Sequence, residues 1–418
     1  MARTTLWHPF TQHAVEPDPI PIVRGEGAWL ETRDRRRILD AISSWWVVTH
    51  GHRYAPIVAA IHEQIDRLDQ VIFAGFTHDP AEKVASKLIG RAPCGLAHVF
   101  FSDSGSTAVE VALKMALGYW RNIGEPRTRI AALDHGYHGD TVGTMSAGSR
   151  GVFNAAYEPL LFDVVRIPFP YAGREQETLD ALEAAAREAP LAAFIAEPLI
   201  TGAGGMLIYG AGTLAEMKRI CEGHGALFIA DEVMTGWGRT GTLFACEQAR
   251  VAPDILCLAK GLTGGSLPLA ATLATPRIFE AHYSEDRSRT FFHSSSYTAN
   301  PVCCAAALAN LTIWETEPVL ERIATLERLQ EESLAALADD PRFMNPRRLG
   351  TIAAVDVKVP DGGYLAAAGP ALRAHFLDRG VLLRPLGNTI YVMPPYCTTA
   401  ADLHLVYDAI RSAPDALA

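Results

Sequence analysis

Between about residue 50 and residue 310 the chain alternates short apolar runs with amphipathic stretches, and this alternation constrains the fold more than any other feature. The apolar runs are LAHVFFSD (96–103), RIAALDHG (129–136), LAAFIAEP (191–198), GALFIADE (225–232) and PDILCLAK (253–260). Such alternation predicts parallel strands joined by helical crossovers, with helices covering both faces of the sheet. We therefore predict an α/β fold with a mostly parallel central sheet.

The two chain ends lack this alternation. Residues before about 45 contain β-like runs, and the helical stretch LERIATLERLQEESLAALADD (320–340) leads into a last α+β portion. There, GVLLRPLGNTIYVMPPY (380–396) predicts a β-hairpin. A chain of 418 residues, 49% of them hydrophobic, can form two domains. We expect a large domain of residues 46–312 and a smaller one built from residues 1–45 and 313–418.

Charge and cysteine content exclude several classes of protein. The net charge is −10, and no long lysine or arginine run offers the basic face that nucleic acids need. No run of about 18 apolar residues could span a membrane, and the start, MARTTLWHPFTQ, is unlike a signal peptide. The seven cysteines form no CxxC pair, which favours free thiols. We expect a cytoplasmic protein without nucleic-acid or membrane partners.

Polar side chains collect at the ends of the predicted strands. They are Asp103, His135, Glu197, Asp231 and Lys260. Because sheets of this kind bind ligands at the carboxyl ends of their strands, these side chains are expected to face one crevice.

Lys260 ends a very apolar run immediately before a glycine-rich turn. Burying an ammonium group is costly unless it is paired, loses its proton or is converted into something else. Taken alone, such a lysine is either the polar end of a buried strand, with its amine reaching water, or a reactive amine. The neighbouring motifs bear on this choice.

Three further motifs fall at strand ends. SGST (104–107) opens a helix whose free N–H groups suit a phosphate, although serine and threonine are also ordinary helix caps. HGYHGDT (135–141) offers an aromatic ring beside two histidines, without further ligands at zinc-like spacing. Asp231 could pair with a cationic ring nitrogen, cap a helix or bind a metal.

An anion site, an aromatic ring, a buried acid and a buried amine are together the parts that hold pyridoxal phosphate. In such sites a lysine forms a Schiff base with the cofactor, and an acid keeps the cofactor ring protonated. The sequence therefore predicts a pyridoxal-phosphate enzyme, and no metal ion is expected.

The motifs also resemble those of a known family. SDSGSTAVEVALKMA, GYHGDT, AEPLITGAGGM, IADEVMTGWGRTG, PDILCLAKGLTGG and SYTANP are similar to segments of the class III aminotransferases, and the similarity covers nearly the whole chain. The resemblance implies the type I fold of pyridoxal-phosphate-dependent transferases. It also implies a small-molecule amino donor, a keto acceptor and a homodimer with shared active sites.

For the cofactor, the resemblance implies a role for each matching residue. Lys260 would be the Schiff-base lysine and the proton shuttle, and Asp231 would pair with the pyridine nitrogen. Tyr137 and Val233 would pack on opposite faces of the ring.

The cofactor phosphate would be held by a second group of residues. Gly105 and Ser106 would bind it through a backbone N–H and a hydroxyl. Ser296, in SYTANP, would complete this phosphate site from the neighbouring subunit.

Other segments, WHPFTQ, DAISSWW, THGH, LFACEQA and RPLGNTIYVMPPY, resemble the members of the class that aminate 8-amino-7-oxononanoate in biotin synthesis. In that case Trp45 and Trp46 would line the substrate tunnel, and Arg384 would bind the distal carboxylate of the substrate. Without the resemblance, paired tryptophans are typical of a core and such an arginine of a surface.

Departures from the family pattern concern the amino donor. Phe10 stands near the expected substrate amine, where many relatives have tyrosine, and His293-Ser294-Ser295-Ser296 replaces the usual His-Gly-Pro-Thr. S-adenosylmethionine is the expected donor, and lysine is the alternative. An ω-amino acid or amine:pyruvate aminotransferase is the alternative enzyme.

Overall fold

The computed structural model describes residues 5–360 and 364–417. The strands of these residues are β1 (Ile22–Glu26), β2 (Trp29–Thr32), β3 (Arg37–Asp40), β4 (His98–Ser102), β5 (Arg129–Leu133), β6 (Val165–Ile167), β7 (Leu191–Ala196), β8 (Ile200–Thr201), β9 (Leu207–Ile208), β10 (Leu227–Asp231), β11 (Ile255–Leu258), β12 (Ala270–Ala274), β13 (Phe343–Leu349), β14 (Ile352–Val357), β15 (Val381–Leu382) and β16 (Thr389–Val392).

The helices of the same residues range from single turns to five turns. They are α1 (Ser43–Trp46, one irregular turn), α2 (Ala55–Ile65), α3 (Asp79–Ile89), α4 (Gly105–Asn122), α5 (Val142–Ala147), α6 (Glu175–Glu188), α7 (Ala211–Gly223), α8 (Cys246–Ala249), α9 (Pro276–His282), α10 (Pro301–Thr316), α11 (Val319–Ala335), α12 (Ala368–Asp378) and α13 (Ala400–Arg411). None of these helices combines the length and apolar character needed to cross a membrane.

The central sheet has seven strands in the order β4-β12-β11-β10-β7-β5-β6. β12 pairs antiparallel with both β11 and β4, and the other pairs in this sheet are parallel. The predicted mostly parallel sheet is therefore confirmed. The five strands predicted from the apolar runs are β4, β5, β7, β10 and β11. The alternation did not reveal β12, whose direction is reversed.

Helices cover both faces of this sheet, and alternate residues of its strands enter different cores. Phe194 of β7 packs in one core with Leu182 of α6 and Leu214 of α7. Its neighbour Ile195 packs on the opposite face with Val109 of α4. Since side chains alternate along a strand, a strand buried on both faces is apolar throughout, as β7, β10 and β11 are.

Truncating the core at Phe194 is expected to destabilise the protein strongly. This side chain is 0% exposed, so Phe194→Ala removes its apolar contacts and leaves a cavity. We expect a loss of about 3–5 kcal/mol in the free energy of unfolding, measured by urea denaturation. Leu320→Ala, at a residue that is 55% exposed, is the control and should change this free energy by less than about 0.5 kcal/mol. Equal effects would contradict this assignment of the core.

The two chain ends share a second sheet. Its order is β1-β2-β3-β15, and Val381 of β15 pairs in parallel with Leu39 of β3. A third sheet, β13-β14-β16, packs in the same apolar core as Leu39 and Val381. The pairing joins the two chain ends, while the boundaries of the two domains, residues 46–312 on one side and residues 1–45 with 313–418 on the other, stay a prediction.

The predicted hairpin at residues 380–396 is wrong as a pairing of two strands, although one isolated antiparallel bridge joins Leu386 and Thr389. β15 pairs with β3, and β16 pairs antiparallel with β14, so the two strands belong to different sheets. Pro385 lies between them and has no N–H to donate to a ladder. The alternation of apolar residues indicated strands, but it carries no information about which partner each strand takes.

Candidate active site

Neighbouring strands of the central sheet deliver polar residues to one cavity of about 440 Å³. β10 ends on Asp231, while Lys260 and Glu197 follow β11 and β7. The lining residues are Trp46, Val47, Asp103, Ser104, Gly105, Ser106, Tyr137, His138, Gly139, Glu197, Asp231, Val233, Met234, Ala259, Lys260, Gly265, Ser266, Leu267, Pro268 and Leu269. The structure thus brings Lys260, Asp231, Tyr137, Val233, Gly105, Ser106 and Trp46 together.

Lys260 is held in an unusual backbone conformation. Its φ is 45°, in the left-handed region that residues with a side chain seldom adopt. Its Nζ lies 5.1 Å from the centre of the Trp46 ring. Burial lowers the pKa of the Lys260 amine, while Asp231 and Glu197 act in the opposite direction. A lowered pKa makes the neutral, nucleophilic amine more available.

Asp231 is 3% exposed and is oriented by two donors. Nδ1 of His138 donates to its Oδ2 at 2.7 Å, and the N–H of Val233 donates to its Oδ1 at 3.1 Å. The other ring nitrogen of His138, Nε2, is buried and has no hydrogen-bond partner among the described residues. His138 had no predicted role, because it and Asp231 are 93 positions apart in the chain.

The start of α4 forms the end of the cavity suited to an anion. Ser104 is the N-cap and accepts the N–H of Thr107, so the capping role is real. Gly105 and Ser106 line the cavity, and their N–H groups precede the first intrahelical hydrogen bonds. A Cβ at Gly105 would lie 2.6 Å from Cγ1 of Val233, so only glycine fits there.

Glu197 links Tyr137 to the loop after β7. Its Oε1 accepts the N–H of Tyr137 and its Oε2 accepts the N–H of Gly202, each at 3.0 Å. Burial raises the pKa of Glu197 to about 7, and burial also raises the pKa of Tyr137. The sequence placed Glu197 at a strand end but gave it no function. The signal that could have indicated a function is an acidic residue directly after a fully apolar strand.

The residues predicted to bind substrate form a group beside the cavity. Phe10 and Trp45 meet edge to face, with ring centres 5.5 Å apart. The guanidinium of Arg384 lies 5.1 Å from the centre of the Trp45 ring, and its Nη2 donates to the carbonyl of Phe10 at 3.2 Å. No carboxylate of the described residues lies within 4.0 Å of Arg384.

An aromatic path joins this group to the cavity. Phe153 lies 5.9 Å from Phe10 and 6.2 Å from Tyr137, ring centre to ring centre. On the other side, the indole N–H of Trp46 donates to the hydroxyl of Tyr391 at 3.0 Å. Neither Phe153 nor Tyr391 was predicted from the sequence: Phe153 lies in a segment without a motif, and Tyr391 lies in RPLGNTIYVMPPY, where only Arg384 was given a role.

Ser296 does not line the cavity that holds Lys260. It is exposed, and its carbonyl accepts a hydrogen bond from Nε2 of Gln70 at 2.7 Å. It lies instead along a separate depression with Phe100 and His293. A single chain therefore does not bring Ser296 to the other predicted site residues.

The sequence of this chain is similar to those of one enzyme family over nearly its whole length. The family model for class III aminotransferases matches residues 10–413. The adenosylmethionine-8-amino-7-oxononanoate aminotransferase of Synechococcus elongatus is 49% identical over 97% of this chain and 97% of its own. The enzyme of that name from Geobacter sulfurreducens is 39% identical, over 98% of this chain and 95% of its own.

Solved structures show the same similarity. The adenosylmethionine-8-amino-7-oxononanoate aminotransferase of Methanocaldococcus jannaschii superposes with a TM-score of 0.94 and 36% identity, covering 98% of this chain and 97% of its own. A PLP-bound amine transaminase from an uncultivated Pseudomonas species gives a TM-score of 0.92 and 34% identity, covering 99% and 98%.

Proposed function

This chain belongs to the class III aminotransferases, and on that premise we propose that it transfers an amino group from S-adenosylmethionine to 8-amino-7-oxononanoate. The product is 7,8-diaminononanoate, an intermediate of biotin synthesis. Relatives with 49% and 39% identity over nearly their whole length carry the name of this activity. All seven cysteines are free, which supports a reducing, cytoplasmic location.

The observation that carries the choice of acceptor is the position of Arg384. Its guanidinium rests on Trp45, has no carboxylate partner among the described residues, and is joined to the Lys260 cavity by aromatic side chains. A planar guanidinium suits a carboxylate, and an aromatic wall suits an alkyl chain. The keto acid has a carboxylate at one end of an alkyl chain and the reacting carbonyl towards the other.

The cavity residues also fit pyridoxal phosphate as the cofactor. Asp231 is a buried carboxylate with no lysine or arginine within 4.0 Å among the described residues, so it can accept the N–H of a pyridinium ring. Gly105 is a position that a Cβ would fill, which leaves the helix N–H groups open to a phosphate. Lys260 would attach the cofactor through Nζ, and Tyr137 and Val233 would contact its ring.

The protein's own groups then carry the proton chemistry. When bound, pyridoxal phosphate supplies a ring that withdraws electrons from the substrate carbon next to nitrogen. Asp231, positioned by His138, would hold the proton of the ring nitrogen. Burial lowers the pKa of Lys260 Nζ, so with the cofactor bound this amine would be suited to take up and return the proton of the donor carbon. Trp46 and the aromatic path keep water away from these groups.

We also propose a homodimer with shared active sites. Ser296 lies outside its own chain's cavity, on an exposed segment, and a symmetric contact would place it in the partner's phosphate site. Ser296→Ala would then weaken cofactor retention, and cross-linked mixed dimers of Ser296→Ala with Lys260→Ala would retain a single intact site. Mixed dimers that retain the cofactor no better than Ser296→Ala homodimers would contradict sharing, because unshared sites would leave no intact site in them.

The function is tested by offering the loaded enzyme each donor in turn. Loss of the visible absorbance of the Lys260-linked cofactor reports the first half-reaction. We expect S-adenosylmethionine to bleach it, and 8-amino-7-oxononanoate to restore it. Bleaching by lysine alone would move the assignment to the lysine-dependent alternative. Restoration by pyruvate, but not by the oxononanoate, would favour an amine transaminase, in line with the structural similarity to one.

Arg384→Ala should separate acceptor binding from donor chemistry. Removing the guanidinium removes a charge-assisted hydrogen bond to the substrate carboxylate, worth about 1.5–3 kcal/mol, so KM for the oxononanoate should rise by roughly 10- to 150-fold. The rate of bleaching by the donor should change little. Arg373→Ala, at a guanidinium paired with Glu16, is the control. An unchanged KM for the acceptor would contradict the role of Arg384.

A further inference from the structure

The turn that carries Lys260 is held by one buried amide. Asn310, in α10, is 0% exposed. Its Nδ2 donates to the carbonyl oxygens of Gly261 and Leu262, each at 3.0 Å. These are the two residues that follow Lys260 in the chain. A buried carbonyl without a donor is costly, so this amide determines where the turn lies.

The turn itself needs such support. Lys260 has a φ of 45°, and strained backbone of this kind persists only where the surroundings enforce it. A Cβ at Gly261 would lie 2.7 Å from Cβ of Trp237 and 2.9 Å from Cγ2 of Thr49. The turn is therefore packed against Trp237 and Thr49 and receives hydrogen bonds from Asn310.

His50 fixes which way the Asn310 amide faces. Its Nε2 lies 2.8 Å from Oδ1 of Asn310, and because an amide oxygen only accepts, His50 must donate. Burial lowers the pKa of His50 to about 4, opposed by Asn310 and Glu317, while Arg322 and Arg239 lower it further. The ring is neutral at pH 7, and a rotated amide would place its oxygen against two carbonyls.

The segment that carries His50 also connects the turn to Trp46, which is predicted to line the substrate tunnel. His50 lies four residues after Trp46, whose ring is 5.1 Å from Lys260 Nζ. The N–H of Thr49 donates to the carbonyl of Gly264 at 3.4 Å. Residues 46–50 and 260–265 are therefore linked to each other by the hydrogen bonds of Thr49, His50 and Asn310.

We propose that Asn310, oriented by His50, is a positioning residue that sets the direction of the Lys260 amine relative to Trp46. It touches neither substrate nor cofactor and acts through the carbonyls of Gly261 and Leu262. The inference rests on the proposed role of Lys260 as the reactive amine. This role explains why the fully buried Asn310 amide and the neutral, buried His50 pack next to the turn of Lys260, whose backbone is strained.

The test compares Asn310→Ala with a matched variant, Gln330→Ala. Gln330 is also a 0% exposed amide on a helix, and its Nε2 donates to the carbonyl of Thr351 at 2.5 Å, outside the active site. Both variants should lower the Tm. Only Asn310→Ala should change the pH titration of the visible absorbance of the Lys260-linked cofactor. Only this variant removes the hydrogen bonds that fix the orientation of the Lys260 amine.

We expect the titration midpoint of Asn310→Ala to move upward, since a freed turn lets the linked nitrogen reach water. Asp231, Glu197 and Arg239, the charged groups that act on Lys260, stay in place. In addition, kcat should fall by about 10²-fold with KM little changed, as expected for a misplaced reacting group. His50→Phe should shift the midpoint in the same direction by less, and the double variant should be non-additive.

Two results separate this inference from the function itself. Wild-type protein without a Lys260-linked absorbance would overturn the proposed function. A wild-type titration and kcat in Asn310→Ala, with a Tm lowered as in Gln330→Ala, would overturn the positioning role alone. If Asn310→Ala does not fold, the test uses Asn310→Ser and His50→Phe, for which we also expect an upward shift of the titration midpoint and a lower kcat.

Discussion

Lys260→Ala is expected to abolish transamination while leaving a folded protein. In the proposed mechanism the side chain supplies both the attachment of the cofactor and the proton transfer at the substrate carbon, and among the described residues no other lysine lines the cavity. Proton transfer alone contributes about 10²–10⁴-fold, so the loss of both roles should exceed about 10⁴-fold in kcat/KM. The measurement is steady-state turnover, together with borohydride reduction followed by peptide mass analysis.

The matched control for this variant is Lys218→Ala. Lys218 is a buried lysine that pairs with Asp254 at 3.0 Å and lies in α7, away from the cavity. This control should lose stability but keep its activity per folded molecule. In wild-type protein, borohydride should leave a reduced adduct on Lys260, and its absence would refute the assignment of the reactive amine.

Asp231→Asn is expected to have the second largest effect. The single oxygen of an amide can still accept the hydrogen bond from His138, but the hydrogen bond from the N–H of Val233 is then lost, because the amide NH2 faces that donor. The amide cannot balance a positive charge on the cofactor ring, so the ring loses its ability to stabilise negative charge at the substrate carbon. We expect kcat to fall by on the order of 10²–10³-fold, as for other lost electrostatic partners, with part of the cofactor retained.

Asp254→Asn is the control for that variant. Asp254 is a buried aspartate of similar exposure, but it accepts from Lys218, Arg277 and the N–H of Phe228 at the other end of the strands. Its loss should lower the stability of the protein and leave kcat nearly unchanged. If Asp231→Asn kept wild-type turnover, the ring-nitrogen role of Asp231 would be wrong.

The main strands and the residues proposed for the chemistry could be picked out from the sequence because their signals are local. A strand buried on both faces must be apolar, and a charged residue at its end stands out from it, as Asp231 and Lys260 do. Parallel strands then place such ends at one edge of the sheet. The family motifs gave these positions roles, and the structure brings them into one cavity.

The supporting residues could not be predicted in the same way. His138 orients Asp231 from 93 positions away, and Asn310 holds the turn after Lys260 from 49 positions away. Neither residue lies in a pattern that differs from that of an ordinary turn or helix. Their importance depends on contacts between segments distant in the chain, which alternation and spacing do not specify.

The pairing of the strands near the C-terminus also depends on contacts between segments distant in the chain. Residues 380–396 have the alternation of two strands, but β15 joins β3 and β16 joins β14, because each buries its apolar side chains there. By itself, the sequence determined the α/β class, the central strands and the amine and acid at their ends, since these depend on neighbours in the chain. The tertiary structure alone decided the pairing of the chain ends, the partner of Asp231 and the support of Lys260, because burial and hydrogen bonding there join segments far apart in sequence.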